Sequence, residues 1–242
     1  MSAPRIYTEH SLSPGAELAL EAGPSRHLAG ALRLGTGAAV TLFDGNGGEY
    51  GAVIIGVERK QVSVRIDSHQ PDERESPLRI HLGISISRGE RMDWIVQKAT
   101  ELGVTEISPL LSERTEVKLK GERAAKKLQH WQQISISACE QCGRNRLPLM
   151  HPPQRIDAWS ASVQADRKLV LHHRTDSNLK TIAPATDLAL LVGPEGGLSD
   201  TEIAAARQQG FTPLALGPRV LRTETAPLAA LAILQFHWGD MS

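Results

Sequence analysis

From Arg79 to His237 the chain alternates short apolar runs with amphipathic stretches, and this rhythm restricts the fold more than any other feature. Residues 79–87 carry Ile80, Leu82, Ile84 and Ile86 at every second position, the period of a strand. Residues 90–102 put Ile95, Ala99 and Leu102 on one helical face and stop at Gly103. The same reading predicts a strand over 105–111 and a long helix over 122–142, with Leu128, Trp131, Ile134 and Ala138 spaced for burial. It then predicts strands over 168–172 and 188–192, a helix over 200–209, a strand over 213–216 and a closing helix over 226–237. Parallel neighbours in a sheet need a crossover between them, so strands alternating with helices predict an α/β domain on a mainly parallel sheet.

The first seventy residues read differently. Runs rich in β-branched residues at 38–43, 50–57 and 62–67 are separated by the glycine-dense turn Asp44–Gly48 and the polar break Glu58–Gln61. One helical piece interrupts them over 25–34, where Ser25 is placed to cap and Gly35 to stop it. This pattern predicts a small β-barrel. The polar stretch 68–77, with prolines near both ends, is the linker candidate, giving domains at 1–72 and 73–242.

Several function classes fall away on composition. Two cysteines cannot build a disulfide framework, nine aromatics argue against a base-stacking platform, and no apolar run reaches the ~20 residues of a membrane span. The N-terminus lacks a basic region followed by an apolar one, so a soluble, cytoplasmic protein is expected. Equal numbers of basic and acidic residues, 27 of each, speak against a uniformly basic coat. The balance is uneven along the chain, however. Residues 73–150 hold 13 basic and 10 acidic side chains, and Arg114, Lys118, Lys120, Arg123, Lys126 and Lys127 face only Glu116 and Glu122. Such a patch is suited to phosphates, or it is simply a solvated helix entrance.

Two glycine-bearing segments carry the chemistry. In Leu190–Glu202 a buried strand runs into Gly193-Pro194-Glu195-Gly196-Gly197 and then a helix opened by Ser199 with Glu202 three residues on, a capping box. It matches neither the GxxxxGK[ST] loop nor the GxGxxG fingerprint. In Leu216–Pro227 a second strand end leads through Arg219, Arg222, Thr223, Glu224 and Thr225 into a helix. Only Thr225, as a cap ahead of Pro227, has an evident structural task there. Paired loops at the carboxyl ends of parallel strands are where α/β proteins bind ligands.

Two further features are weaker. Cys139-Glu140-Gln141-Cys142 has C-x-x-C spacing, yet it ends a predicted helix instead of starting one, and neither His130 nor His151 completes a recognisable zinc spacing, so no metal is expected. Beyond it, Arg144-Asn145-Arg146 is placed for phosphate or base contacts, or for a basic helix end. Adjacent His172 and His173 would point to opposite faces of a strand, which disfavours a shared metal.

Taken together, Gly193–Gly197, the run Leu216–Ala226, Lys98–Val104, and Glu140-Gln141 with Arg144 closely resemble the RsmE family. These are SPOUT-type methyltransferases that modify N3 of a uridine in bacterial 16S rRNA. Arg5-Ile6-Tyr7, His27-Leu28 and Leu32-Arg33 extend the resemblance over nearly the whole chain. It implies an N-terminal PUA-like β-barrel for RNA recognition, a C-terminal SPOUT domain with a deep trefoil knot at about 188–230, a homodimer, and S-adenosylmethionine as cofactor. On this resemblance the cofactor would contact Leu171, His172, Gly193, Pro194, Glu195, Gly196, Gly197, Leu216, Gly217, Leu221, Arg222, Thr223, Thr225 and Ala226. RNA, within the small ribosomal subunit, would meet Arg5, Arg88, Arg114, Lys118, Lys120, Gln141, Arg144, Asn145, Arg146 and Arg219. Arg222 would stabilise charge developing on the base, and Glu224 or a water would take the N3 proton. Competing readings are a ribose 2′-O-methyltransferase, a non-catalytic ribosome-assembly factor and a redox protein built on the cysteine pair.

Overall fold

The computed structural model describes residues 3–117, 119–175, 177, 179 and 182–241. The chain divides into two compact units, one of residues 1–75 together with 139–147, the other of residues 76–138 and 148–242.

In the first unit, strands β1 (Arg5–Tyr7), β2 (Glu17–Ala19), β3 (Ala39–Phe43), β4 (Glu49–Glu58) and β5 (Gln61–Gln70) form a sheet of order β1-β3-β4-β5-β2. Among the described residues no ladder joins β1 to β2, so in its hydrogen bonding the expected barrel is an open five-stranded sheet. Alternation explains its core: Val62, Val64 and Ile66 of β5 are fully buried and pack with Ile54, Leu42 and Leu28. The helical piece begins earlier than expected, as α1 (Ala22–Ser25) continuing into a π-helical turn, Arg26–Ala31. Ser25 is not its cap. The buried hydroxyl donates to the Leu20 carbonyl (3.1 Å) and accepts from the Val62 N–H (3.0 Å), tying the helix to β5.

The second unit carries the parallel sheet. Its strands are β6 (Arg79–Ser85), β7 (Glu106–Leu111), β8 (Leu149–Met150), β9 (Gln154–Arg155), β10 (Arg167–Leu171), β11 (Asp187–Val192) and β12 (Thr212–Leu214), in the order β12-β10-β11-β6-β7-β8 with β9 also on β7. Every pairing is parallel. Helices α2 (Arg91–Glu101), α3 (Gly121–Cys142), α4 (Ile156–Ser162), α5 (Asp200–Gln208) and α6 (Thr225–Trp238) complete it. Strand β11 shows no alternation: Leu188 to Val192 are all buried, as a strand covered on both faces requires. The capping box of α5 is present: Ser199 Oγ accepts from the Glu202 N–H and Glu202 Oε2 from the Ser199 N–H. Thr225 is not a cap; it is the first residue of α6, behind Glu224. The seven-residue helix α4 and the two- or three-residue strands β1, β2, β8 and β9 fall outside the sequence expectation, since pieces this short carry too little periodicity.

One close approach gives a stability prediction. A Cβ on Gly83 of β6 would lie 2.5–2.7 Å from ring atoms of Trp159, which is itself 1% exposed. Gly83→Ala is therefore expected to destabilise this unit by about 1–3 kcal/mol through overpacking. A urea midpoint equal to that of the parent would refute the contact.

Candidate functional site

Strands β10, β11 and β12 run side by side and end at Leu171, Val192 and Leu214. The loops that leave these three ends enclose one cavity of about 520 Å³. Its walls are Leu171, His172 and His173 after β10, Val192 to Leu198 after β11, and Leu214, Leu216, Gly217 and Arg219 to Glu224 with Ala226 after β12. Every residue expected at the cofactor lines it except Thr225, which is exposed at the start of α6. His172 and His173 lie past the strand and both face the cavity, so strand alternation does not separate them.

The turn after β11 cannot be built with a side chain at its first position. A Cβ on Gly193 would lie 2.9 Å from the Leu198 backbone nitrogen, so the loop closes on itself only with glycine there. The other loop is fastened to it: buried Thr223 donates its hydroxyl to the Gly193 carbonyl at 3.1 Å. Burial, with His173 and Arg174 nearby, pushes the His172 imidazole below its usual range, which favours its uncharged form.

Arg91, at the start of α2, joins the two loops electrostatically. Its guanidinium donates to Glu195 Oε1 at 2.8 Å and approaches Glu224 Oε2 at 3.9 Å. Burial alone would raise the Glu195 carboxyl. Its own backbone N–H, the Arg88 N–H (3.2 Å) and Arg91 outweigh that and hold it below the usual carboxylate range. Arg91 is invisible as a site residue in the sequence because it stands 104 positions before its partner. Of the other lining residues not anticipated, Val192, Leu198 and Leu214 flank the two loops that were, Val220 lies inside the second, and His173 follows His172.

A second hollow of about 550 Å³ shares Arg91, Glu195 and Gly196 with the first and is also lined by Arg88, Glu113, Arg114 and Glu116. Arg114 donates to the Gly196 carbonyl at 2.7 Å and Arg88 pairs with Glu116. Arg219 and Arg222 are exposed, with no ion pair among the described residues. Lys120 is exposed as well, and Lys118 lies outside the described residues.

The expected RNA contacts of the first unit need correction. Arg144 and Asn145 are 4% and 0% exposed. Arg144 forks onto Glu75 through Nε (3.0 Å) and Nη2 (2.6 Å), and Asn145 accepts from Arg5 (2.7 Å) while donating to the Asp72 carbonyl (2.9 Å). Arg5 itself pairs with Glu49. Arg144 and Asn145 are thus committed inside the unit, and both Glu75 oxygens occupy the Arg144 fork that a phosphate would need. Gln141 and Arg146 stay exposed, the latter 3.2 Å from Glu73.

Cys139 is buried and hydrogen-bonds the Arg146 carbonyl (3.7 Å), and burial pushes its thiol up to about 12. At pH 8 almost none of it is thiolate, the reactive form. Iodoacetamide is expected to label half-buried Cys142 first and Cys139 at least 100-fold more slowly than a free thiol in peptide mapping. Equal labelling would show that the segment opens.

Known proteins share this architecture. An RNA methyltransferase domain matches residues 74–235, and an RNA methyltransferase PUA domain matches residues 25–67. The chain is 35% identical to the ribosomal RNA small subunit methyltransferase E of Buchnera aphidicola (subspecies Schizaphis graminum), over 99% of this chain and 98% of the other. Among solved structures, a putative methyltransferase of Legionella pneumophila in complex with the cofactor SAM is 45% identical, with TM-score 0.97 over 99% of this chain and all of that one. The ribosomal RNA small subunit methyltransferase E of Neisseria gonorrhoeae, bound to S-adenosyl methionine, is 40% identical with TM-score 0.93 over the full length of both. With both of its domains matched and two glycine-bearing loops meeting at the ends of a parallel sheet, the chain belongs to the ribosomal RNA small subunit methyltransferase E family of RNA methyltransferases.

Proposed function

We propose that this protein transfers the methyl group of S-adenosylmethionine to N3 of one specific uridine in 16S rRNA, in the cytoplasm, as a homodimer. The carrying observation is the convergence of Leu171, Gly193–Gly197 and Leu216–Ala226 on a single cavity. The residues suit that cofactor. Leu171, Leu214, Leu216, Leu221 and Ala226 offer apolar surface to a nucleoside, the glycine turn offers backbone groups at close range, and His172 in its favoured uncharged form adds no positive charge beside a sulfonium. When bound, the cofactor supplies an electrophilic methyl.

The chain's own residues have three tasks. The loops after β11 and β12 align the donor and exclude water. Arg222, exposed and without an ion pair among the described residues, is placed to stabilise negative charge on the uracil as N3 loses its proton, and Glu224 or a water accepts that proton. Arg88, Arg114 and Arg219 hold the RNA backbone around the target, an electrostatic task that fits a locally basic but globally neutral chain. The first unit serves as the PUA-like RNA-recognition domain, and a trefoil knot over about 188–230 would account for two loops locked by the Thr223 bond to Gly193. Dimerisation is supported by Trp94 of α2 and Ile233 and Phe236 of α6, apolar side chains 51%, 38% and 58% exposed on two helices that pack together.

Mass mapping of small-subunit RNA from a deletion strain tests this reading: one N3-methyluridine should vanish and return on complementation. A normal pattern, or loss of a ribose 2′-O-methyl group instead, would replace it.

A further inference from the structure

The sequence offers no recognisable metal spacing, yet the fold brings three metal-ligating side chains to one place. His81 is the third residue of β6, Glu106 the first of β7, and His151 directly follows β8. These are neighbouring strands of the parallel sheet, with His81 in register with Glu106. The candidate ligand atoms all lie within 4.8 Å of one another. They sit toward the strand beginnings, whereas the cavity between the two glycine-bearing loops occupies the strand ends.

We infer that His81, Glu106 and His151 form a binding site for one divalent transition-metal ion of the zinc class. Glu106 Oε2 is 2.7 Å from His151 Nε2 and 3.6 Å from His81 Nδ1. A tetrahedral ion with bonds of about 2.0–2.2 Å sets its ligand atoms about 3.4 Å apart, so the two Glu106 distances need changes of under 1 Å and no pair exceeds that spacing by more than about 1.4 Å. The two imidazoles are stacked, 5.0 Å between centroids and 18° between planes, which fixes both rings. Ser108 Oγ stands 2.9 Å from His81 Nε2, the outer partner that orients a ligating histidine. Arg79, 3.7 Å from Glu106 Oε1, occupies the other carboxylate oxygen and leaves Oε2 for a single bond to the ion. The side chains of His81, Glu106 and His151 are 15%, 26% and 28% exposed, so water reaches the fourth position. Two imidazoles and one carboxylate select zinc, cobalt, nickel or copper over magnesium and calcium.

The metal-free protein sets the cost. There the Trp159 indole N–H donates to His81 Nε2 at 3.2 Å, which places the ring proton on Nδ1, toward Glu106. On binding, that proton moves to Nε2 and is donated to Ser108, and the proton on His151 Nε2 moves to Nδ1. The Trp159 indole then loses its acceptor. Affinity is accordingly expected in the micromolar range, below that of a dedicated structural zinc site. The ion would clamp β6, β7 and the segment after β8.

The test uses the full-length protein and cobalt(II) or zinc(II) alone as probe. One equivalent of cobalt should give visible absorption of a four-coordinate site, one equivalent of zinc should displace it, and zinc should raise the Tm. His151→Gln and Glu106→Gln, each checked for unchanged circular dichroism, should weaken zinc binding at least tenfold, while a Cys139→Ser, Cys142→Ser double variant should bind as the parent does. Absence of stoichiometric binding overturns the inference. So does binding that survives both the His151 and Glu106 substitutions, or that is lost with the cysteines, because either places the ion elsewhere.

Discussion

Replacing Arg222 by alanine is expected to lower single-turnover methylation by about 10²–10³-fold, the usual effect of losing one donor that stabilises a developing anion. On the proposed reading, uridine N3 reacts only as its proton leaves, so charge on the uracil would be the obstacle to meet, and the donors for it would have to be uncommitted beforehand. Arg91 lines the same cavity but is bound to Glu195. Arg222 is exposed and has no ion pair among the described residues. Its backbone carbonyl, not its side chain, takes the structural load by accepting from the Thr225 and Ala226 N–H groups at 2.9 Å. Removing the side chain should therefore leave the loop intact and S-adenosylmethionine affinity, measured by calorimetry, within about threefold. Arg222→Lys should recover part of the rate, because it keeps the charge and loses the fork. A variant with unchanged single-turnover rate would remove Arg222 from the chemistry, and one that fails to bind cofactor would make it a binding residue instead.

Arg144→Ala is expected to act on stability, by about 2–3 kcal/mol, below the range for a fully buried pair, because it strands a partly buried carboxylate. The guanidinium holds both oxygens of Glu75, and the same short segment accepts from Arg5 at the Arg144 carbonyl (3.3 Å) and from Arg74 at the Gly143 carbonyl (2.8 Å). Loss of the fork leaves Glu75, with a side chain 19% exposed, without its counter-charge. The urea transition of the first unit should shift to lower denaturant, with Arg144→Lys intermediate. Normal stability combined with weakened RNA binding would restore Arg144 as an RNA contact. The outcome separates two roles that the sequence Gly-Arg-Asn-Arg left level.

Legibility in the sequence followed the range of the forces involved. Strands β6, β7, β10 and β11 and helices α2, α3, α5 and α6 announced themselves because burial on one face repeats along the chain at a fixed period, or because a short apolar run is buried on both. The capping box at Ser199 and Glu202 was equally local. Ser25 and Thr225 looked like caps by residue type and are not. One satisfies β5 across the sheet and the other lies inside its helix.

By itself the sequence determined the parallel α/β unit, the β-rich first seventy residues and the two loops that form the cavity, since periodicity, glycine and helix-start chemistry act between neighbours along the chain. Tertiary structure alone decided what distant residues do to one another. It turned Arg144 and Asn145 inward against Glu75 and Arg5, set Arg91 between Glu195 and Glu224, and stacked His81 on His151 beside Glu106. An isolated arginine or histidine has the same local signature whether it meets solvent, a carboxylate or a ligand. Only the folded chain supplies the partner, and with it the burial and charge that define the role.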